Sequence, residues 1–179
     1  RLKEAVLSHL DEAQAAWCTE HVGFPDCSVD RIVPPVRSEN PIDVAVEKYY
    51  EWNVEEKAFV GPAPKIDGMN LADNLLAYIE RKLFTLNTGH AITAYVGKMK
   101  GRQTIGESIE VPEIFDLVHA AMQQSGEALV KQFGFDHEAH FKYIEKIIKR
   151  FRNPYLKDDV NRVGREPLRK LSADDRLIK

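Results

Sequence analysis

The chain has 179 residues and a mass of 20.4 kDa, with 44% hydrophobic residues, 30% charged residues and a formal net charge of −3. A chain of this length buries about 70% of its unfolded surface, and the composition excludes disordered, collagen-like and disulfide-stapled classes. Uncharged stretches such as residues 83–96 fall short of the ~18 apolar residues that a membrane span needs, and no secretory signal pattern is visible. A soluble globular protein with a cytoplasmic location and no membrane partner is therefore expected.

The chain opens on Arg1 directly into the amphipathic run Leu2, Ala5, Val6, Leu10, Ala13 and Trp17, and it stops as abruptly at Lys179. Both ends read as a piece of a longer protein. Residues 2–21 read as one helix that closes near Gly23 and Pro25. Two short strands follow, over 28–33 and 44–54, the first stopped by Pro34 and Pro35. Cys18 and Cys27 lack metal-ligand spacing, so two buried free thiols are expected.

The segment Gly61-Pro62-Ala63-Pro64 is the clearest break, and beyond Met69 the apolar period changes from 2 to 3.6. From Leu71 the pattern predicts one long helix or two consecutive ones, with Asp73 and Asn74 in the first turn. Further helices are predicted over 105–108, 111–133 and 136–151, with short ones over 155–163 and 167–171. The expected fold class is mainly α: a short α/β piece over 1–60, then a multi-helical domain over 61–179.

Within the long helical segment Lys82, Asn87 and His90 interrupt an apolar surface. At about 100° per residue Asn87 lies 140° and His90 80° round from Lys82, so the three share one arc. Two readings stay open at this point: a solvated lysine, a capping asparagine and a core histidine, or a catalytic arc. Gly89, which costs about 1 kcal/mol in a helix relative to Ala, predicts a close approach to the backbone. Asp136-His137-Glu138-Ala139-His140 lacks metal-site spacing and reads as a solvated helix start. No Gly-x-Gly-x-x-Gly turn, P-loop or Gly-x-Ser-x-Gly elbow occurs.

The net charge conceals an asymmetry. Residues 149–179 hold ten Lys or Arg against five Asp or Glu, a balance of +5, which leaves −8 for the rest. A solvated face, a nucleic-acid track and a site for a small anion each fit such a segment. With only Phe151 and Tyr155 interleaved, and an acidic remainder, binding to nucleic acid is not expected. A non-enzymatic helical module that binds anions through this segment is the rival reading to an enzyme.

Residues 57–106, with Asp-Asn-Leu-Leu-Ala-Tyr-Ile-Glu-Arg-Lys-Leu-Phe-Thr-Leu-Asn-Thr-Gly-His-Ala at 73–91, closely resemble the polyol-specific long-chain dehydrogenase family. The likeness extends over 29–35 and from Arg150 to Ser172. It implies a helical substrate domain of the 6-phosphogluconate-dehydrogenase C-terminal kind, joined to a Rossmann domain for NAD of which this chain holds only the closing part. It implies metal-independent hydride transfer, with Lys82 as general base, its pKa lowered from ~10.4 toward ~7–8 by burial and by cations such as Arg81 or Arg162. Asn87 and His90 then stabilise the alkoxide. Asp30 is implied as an acceptor for a substrate hydroxyl. Arg162, Arg165 and Lys170 match the family's basic substrate positions, with Arg169 able to replace any of them. Three cations there favour a sugar phosphate, mannitol 1-phosphate or fructose 6-phosphate. The cofactor-binding turn and one further asparagine of the family's site have no counterpart in the chain. A monomer is expected, with no metal and with the fragment alone inactive.

Overall fold

A computed structural model describes residues 1–34 and 38–178, and its chain divides into two units. The first comprises residues 1–31 and 49–78; the second comprises 32–48 and 79–179.

The first unit opens with two helices, α1 (Leu2–Leu7) and α2 (Glu12–His21), where one was expected. The break follows from Asp11. Its backbone is extended, its carboxylate accepts from Gln14 N at 2.8 Å, and the Gln14 side chain returns a bond to Asp11 N at 3.1 Å. Such a reciprocal cap fixes a helix start and stops the preceding helix. A three-stranded sheet follows in the order β1 (Cys27–Asp30), β2 (Glu51–Glu55), β3 (Met69–Ala72), with β1 antiparallel and β3 parallel to β2.

Leu71, expected in a helix, is thus a strand residue paired with Val54. Helical periodicity loses there to the pairing that β2 offers. The strand expected over 44–54 begins only at Glu51, and Val44 and Val46 are exposed. Both cysteines are free thiols, but Cys27 is exposed while Cys18 is buried. The expectation attached to Pro35 lies outside the described residues.

After Asn74, whose side chain accepts from Ala77 N at 3.3 Å, come α3 (Leu75–Arg81), a π-helix (Lys82–Asn87) and α4 (Thr88–Met99). The second unit continues with α5 (Ile105–Ile109), α6 (Pro112–Phe133), α7 (His137–Phe151), α8 (Val160–Val163) and α9 (Pro167–Lys170). Each long helix carries its own stop and start signals. Pro112 occupies the first turn of α6, Gly134 ends it at φ 70°, and Asp136 caps α7 through Ala139 N at 2.7 Å. Ile105, Ile109, Ile114, Val118, Met122, Ile144, Ile147 and Ile148 form a core almost wholly withdrawn from solvent. None of the described helices is long and apolar enough to cross a membrane.

Helix α4 approaches its neighbours through its glycines. A Cβ on Gly89 would stand 2.6 Å from Met122 Sδ, which accounts for the helical glycine noted in the sequence. A Cβ on Gly97 would stand 2.6 Å from Ser108 Cβ.

A buried ion pair holds Ile32 and Glu47 in this unit. Glu47 receives Arg150 Nη2 at 2.7 Å and Nε at 3.0 Å, and also the Ile32 backbone N–H at 2.6 Å. Breaking a buried pair from one side leaves an uncompensated charge. Glu47→Gln is therefore expected to lower unfolding free energy by roughly 3–5 kcal/mol in denaturant titrations; a loss under about 1 kcal/mol would contradict the anchoring role.

Candidate functional site

The π-helix lies where the sequence places its polar arc. The Thr88 backbone N–H donates to Leu83 O, five residues back, and Thr88 Oγ1 reaches the same oxygen at 3.1 Å. A turn closed to the fifth residue holds about one residue more than an α-turn, so positions five apart come toward the same side. Lys82 and Asn87, 140° apart on an ideal α-helix, are the first and last residues of this segment. His90 follows one turn later on α4.

Asn87 and His90 line a cavity of about 350 Å³ in the second unit. Its remaining wall includes Arg162 and Val163 of α8, Arg165, Glu166, Arg169 and Lys170 at α9, and Arg176. Of the predicted site residues the fold therefore brings Asn87, His90, Arg162, Arg165 and Lys170 together. Lys82 stands on the same helical segment but is not among the lining residues. Asp30 ends β1, buried, in the first unit.

Behind the cavity wall stands Asp158, 3% exposed, which the sequence reading gave no role. Arg162 grips it with two parallel bonds, Nε to Oδ1 and Nη2 to Oδ2, both at 2.6 Å. His90 Nε2 lies 3.0 Å from the same Oδ2, with its N–H off the line to the oxygen, so the contact is chiefly electrostatic. Burial alone pushes the Asp158 carboxyl up. The contacts from His90 and Arg162 outweigh it and hold the group below the usual carboxylate range. Phe151 stacks on the His90 ring at 4.8 Å between centroids. A sequence signal existed for Asp158 in its spacing of four from Arg162, although Asp158 precedes α8, which Asp159 caps.

The cations around the cavity differ in how far they are already committed. Arg169 is paired with Glu166 at 2.6 Å and Asp175 at 2.9 Å, and Arg176 with Asp175 at 2.7 Å. Arg165 donates through Nε to the Arg162 carbonyl oxygen at 3.0 Å, and Lys170 Nζ donates to the Val163 carbonyl oxygen. Among the described residues neither Arg165 nor Lys170 forms an ion pair with a carboxylate. Burial, reinforced by the Arg176 and Arg169 charges, pushes the Lys170 ammonium below its usual range.

Arg81, the residue before Lys82, lies over the rings of Tyr143 at 4.6 Å and Phe135 at 5.4 Å. One expectation changes. His140, expected at a solvated helix start, is buried, and burial together with the charges of Arg81 and His137 lowers its pKa. Its neighbour His137 is half-exposed and meets Glu127 Oε1 at 3.0 Å. Among the described residues no three His, Cys, Asp or Glu side chains are grouped to hold a metal.

Residues 74–179 match the sequence family described as Mannitol dehydrogenase C-terminal domain, and residues 1–68 the one described as Mannitol dehydrogenase Rossmann domain. Among solved structures, Pseudomonas fluorescens mannitol 2-dehydrogenase, in a ternary complex with NAD and D-mannitol, is similar at a TM-score of 0.69 and 26% sequence identity. That match covers 90% of this chain and 36% of the other. D-sorbitol dehydrogenase in substrate-free form is similar in fold at a TM-score of 0.76 and 20% identity, over 94% of this chain and 38% of the other. The chain thus spans well under half the length of either.

Asp158 also gives a pH signature. A carboxyl held low in the folded state contributes stability that is complete above its unfolded value of ~3.9 and is lost as pH falls through the lower folded value. Between pH 5 and pH 2 the protein is expected to lose more stability than its Asp158→Asn variant in parallel denaturant titrations. Superimposable curves would show that the carboxylate is not held low.

Proposed function

The chain belongs to the mannitol dehydrogenase family, and on that premise we propose that it forms the substrate half of an NAD-dependent, metal-independent oxidoreductase that interconverts D-mannitol 1-phosphate and D-fructose 6-phosphate. The likeness to a mannitol 2-dehydrogenase solved with NAD and D-mannitol supports a polyol and a nicotinamide cofactor. One observation carries the extension to a phosphorylated polyol: Asn87 and His90 share a cavity with Arg165 and Lys170, two cations that form no ion pair with a carboxylate among the described residues.

The given sequence holds no glycine-rich turn at a strand–helix junction, so no residue of it is assigned to the dinucleotide's phosphates. NAD, when bound, supplies the hydride acceptor. The residues present act on the alcohol. Lys82 takes the hydroxyl proton from the oxidised carbon's oxygen and returns it in the reverse direction. Asn87, through its side-chain amide, and His90, through its ring, donate hydrogen bonds to that oxygen as negative charge develops on it. Asp30 accepts from a substrate hydroxyl.

At the far end of the substrate Arg165 and Lys170 hold the phosphate, Arg165 through its planar fork and Lys170 as a point charge. Arg162 is bound to Asp158 and faces the same cavity as a substrate contact. A buried ammonium beside two guanidinium groups is poorly solvated, and a phosphate dianion relieves it. The pairing of Arg162, Arg169 and Arg176 with Asp158, Glu166 and Asp175 leaves too little uncompensated charge for a polyanion track, which disfavours the nucleic-acid reading.

The direct test is oxidation of NADH by fructose 6-phosphate in the full-length protein that carries this chain, followed by absorbance. In that protein Lys82→Ala is expected to lower kcat by about 10² or more while the circular dichroism spectrum stays unchanged. Near-normal turnover would remove Lys82 as the base. Arg165→Ala is expected to raise KM for mannitol 1-phosphate by about 10- to 100-fold, the range for one lost hydrogen bond to a charged group, and to change KM for mannitol little. Equal effects on both substrates would take Arg165 out of the phosphate site.

A further inference from the structure

We infer that Asp158 is a positioning residue of this site: placed behind His90 and Arg162, its carboxylate turns Nε2 of His90 away from the cation-lined cavity and presents Nδ1 to the substrate oxygen. The inference rests on the proposed role of His90 in stabilising that oxygen.

The geometry comes from two cavities that share one wall. His90 lines the 350 Å³ cavity and also a second one of about 450 Å³, whose wall includes Ile32, Phe151, Leu156 and Asp158. Arg162 belongs to the first cavity only and Asp158 to the second only. The contact of His90 Nε2 with Asp158 Oδ2 at 3.0 Å therefore points the ring's Nε2 edge out of the cavity that holds Asn87, Arg165 and Lys170. Nδ1, on the opposite side of the ring, is the nitrogen left for that cavity. Phe151, stacked on the ring, opposes its rotation.

The carboxylate is itself held from several directions. Arg162 occupies both of its oxygens. The Asp158 carbonyl oxygen accepts from Ile105 N at 2.8 Å, and Asp159 bridges to Thr104. The preceding residue, Lys157, has φ 42°, and it and Glu166 are the non-glycine residues at positive φ among those described. Such strain persists where the surroundings over-determine the backbone, and here it flanks the segment that carries Asp158, Arg162 and Arg165.

The chemical consequence concerns which form of the imidazole meets the substrate. With protons on both ring nitrogens, the Nε2 side faces the Asp158 charge and Nδ1 donates to the substrate oxygen, to the hydroxyl first and then to the alkoxide, while the hydroxyl's own proton passes to Lys82. Asp158 balances the charge of the ring without taking its proton, in the way an outer carboxylate orients a catalytic histidine. It holds Arg162 in register through the same pair of oxygens.

The test uses the full-length protein, with Asp158→Asn as a variant of nearly the same shape. The first measurement is the ¹⁵N spectrum of the His90 ring. The wild type is expected to carry its proton on Nε2 in the neutral form, and Asp158→Asn to redistribute the proton between the two nitrogens. An unchanged spectrum overturns the inference. The second is kinetic. Asp158→Asn is expected to lower kcat by about 10- to 100-fold, and by less than twofold when His90 is already Ala, because the effect travels through the ring. Equal losses in the two backgrounds would mark Asp158 as merely structural. Should the wild type turn over neither a polyol nor a polyol phosphate with NAD, the proposed function falls, and the ¹⁵N measurement still decides whether Asp158 governs His90.

Discussion

A carboxylate withdrawn from water costs several kcal/mol unless cations and hydrogen-bond donors surround it. Asp158 meets that condition in a way that organises the second unit. Its two oxygens collect Arg162 from α8 and His90 from α4, while its backbone joins the start of α5. The stretch 158–162 and the consecutive helices α4 and α5, more than fifty residues earlier, are tied to one group, and the residues of the proposed chemistry are placed as a by-product. Asn87 follows because it lies one turn from His90, and Arg165 because its Nε holds the carbonyl of Arg162.

Another buried carboxylate obeys the same rule at a different place. Glu47 carries no proposed chemistry. It is ringed by Arg150 and the Ile32 amide, so Ile32 and Glu47 belong with the helices although the sequence around them belongs with the sheet unit. Two buried anions thus account for features that hydrophobic packing alone does not explain: the inclusion of Ile32 and Glu47 in the helical unit and the convergence of basic side chains on one cavity.

The long helices were legible in the sequence because periodicity, caps and stops agreed. The 3.6 period of α6 and α7, Pro112, Gly134 and Asp136 all point to the same boundaries. Leu71 was not legible, since its spacing suits a helix and only the partner strand decides otherwise. Val44 and Val46 alternate as a strand would, but both stay exposed and belong to no strand among the described residues. In the site, the recurrence of Asn87 and His90 on one face was readable. The grouping of Arg162, Arg165 and Lys170 came from family likeness, not from periodicity. Which cations form no ion pair among the described residues was beyond the sequence, because Glu166 and Asp175 choose their partners only in the fold.

The π-helix between α3 and α4 has a consequence for how this segment tolerates change in length. Relative to an uninterrupted α-helix it accommodates about one extra residue. Because the wide turn absorbs that residue, the phase of α4 is the one it would have with the residue removed: deleting one residue from 82–87 while the segment winds back to a regular α-helix leaves His90 beside Asp158 and Gly89 against Met122. What the extra residue sets is local to the wide turn: how Lys82 stands relative to Asn87.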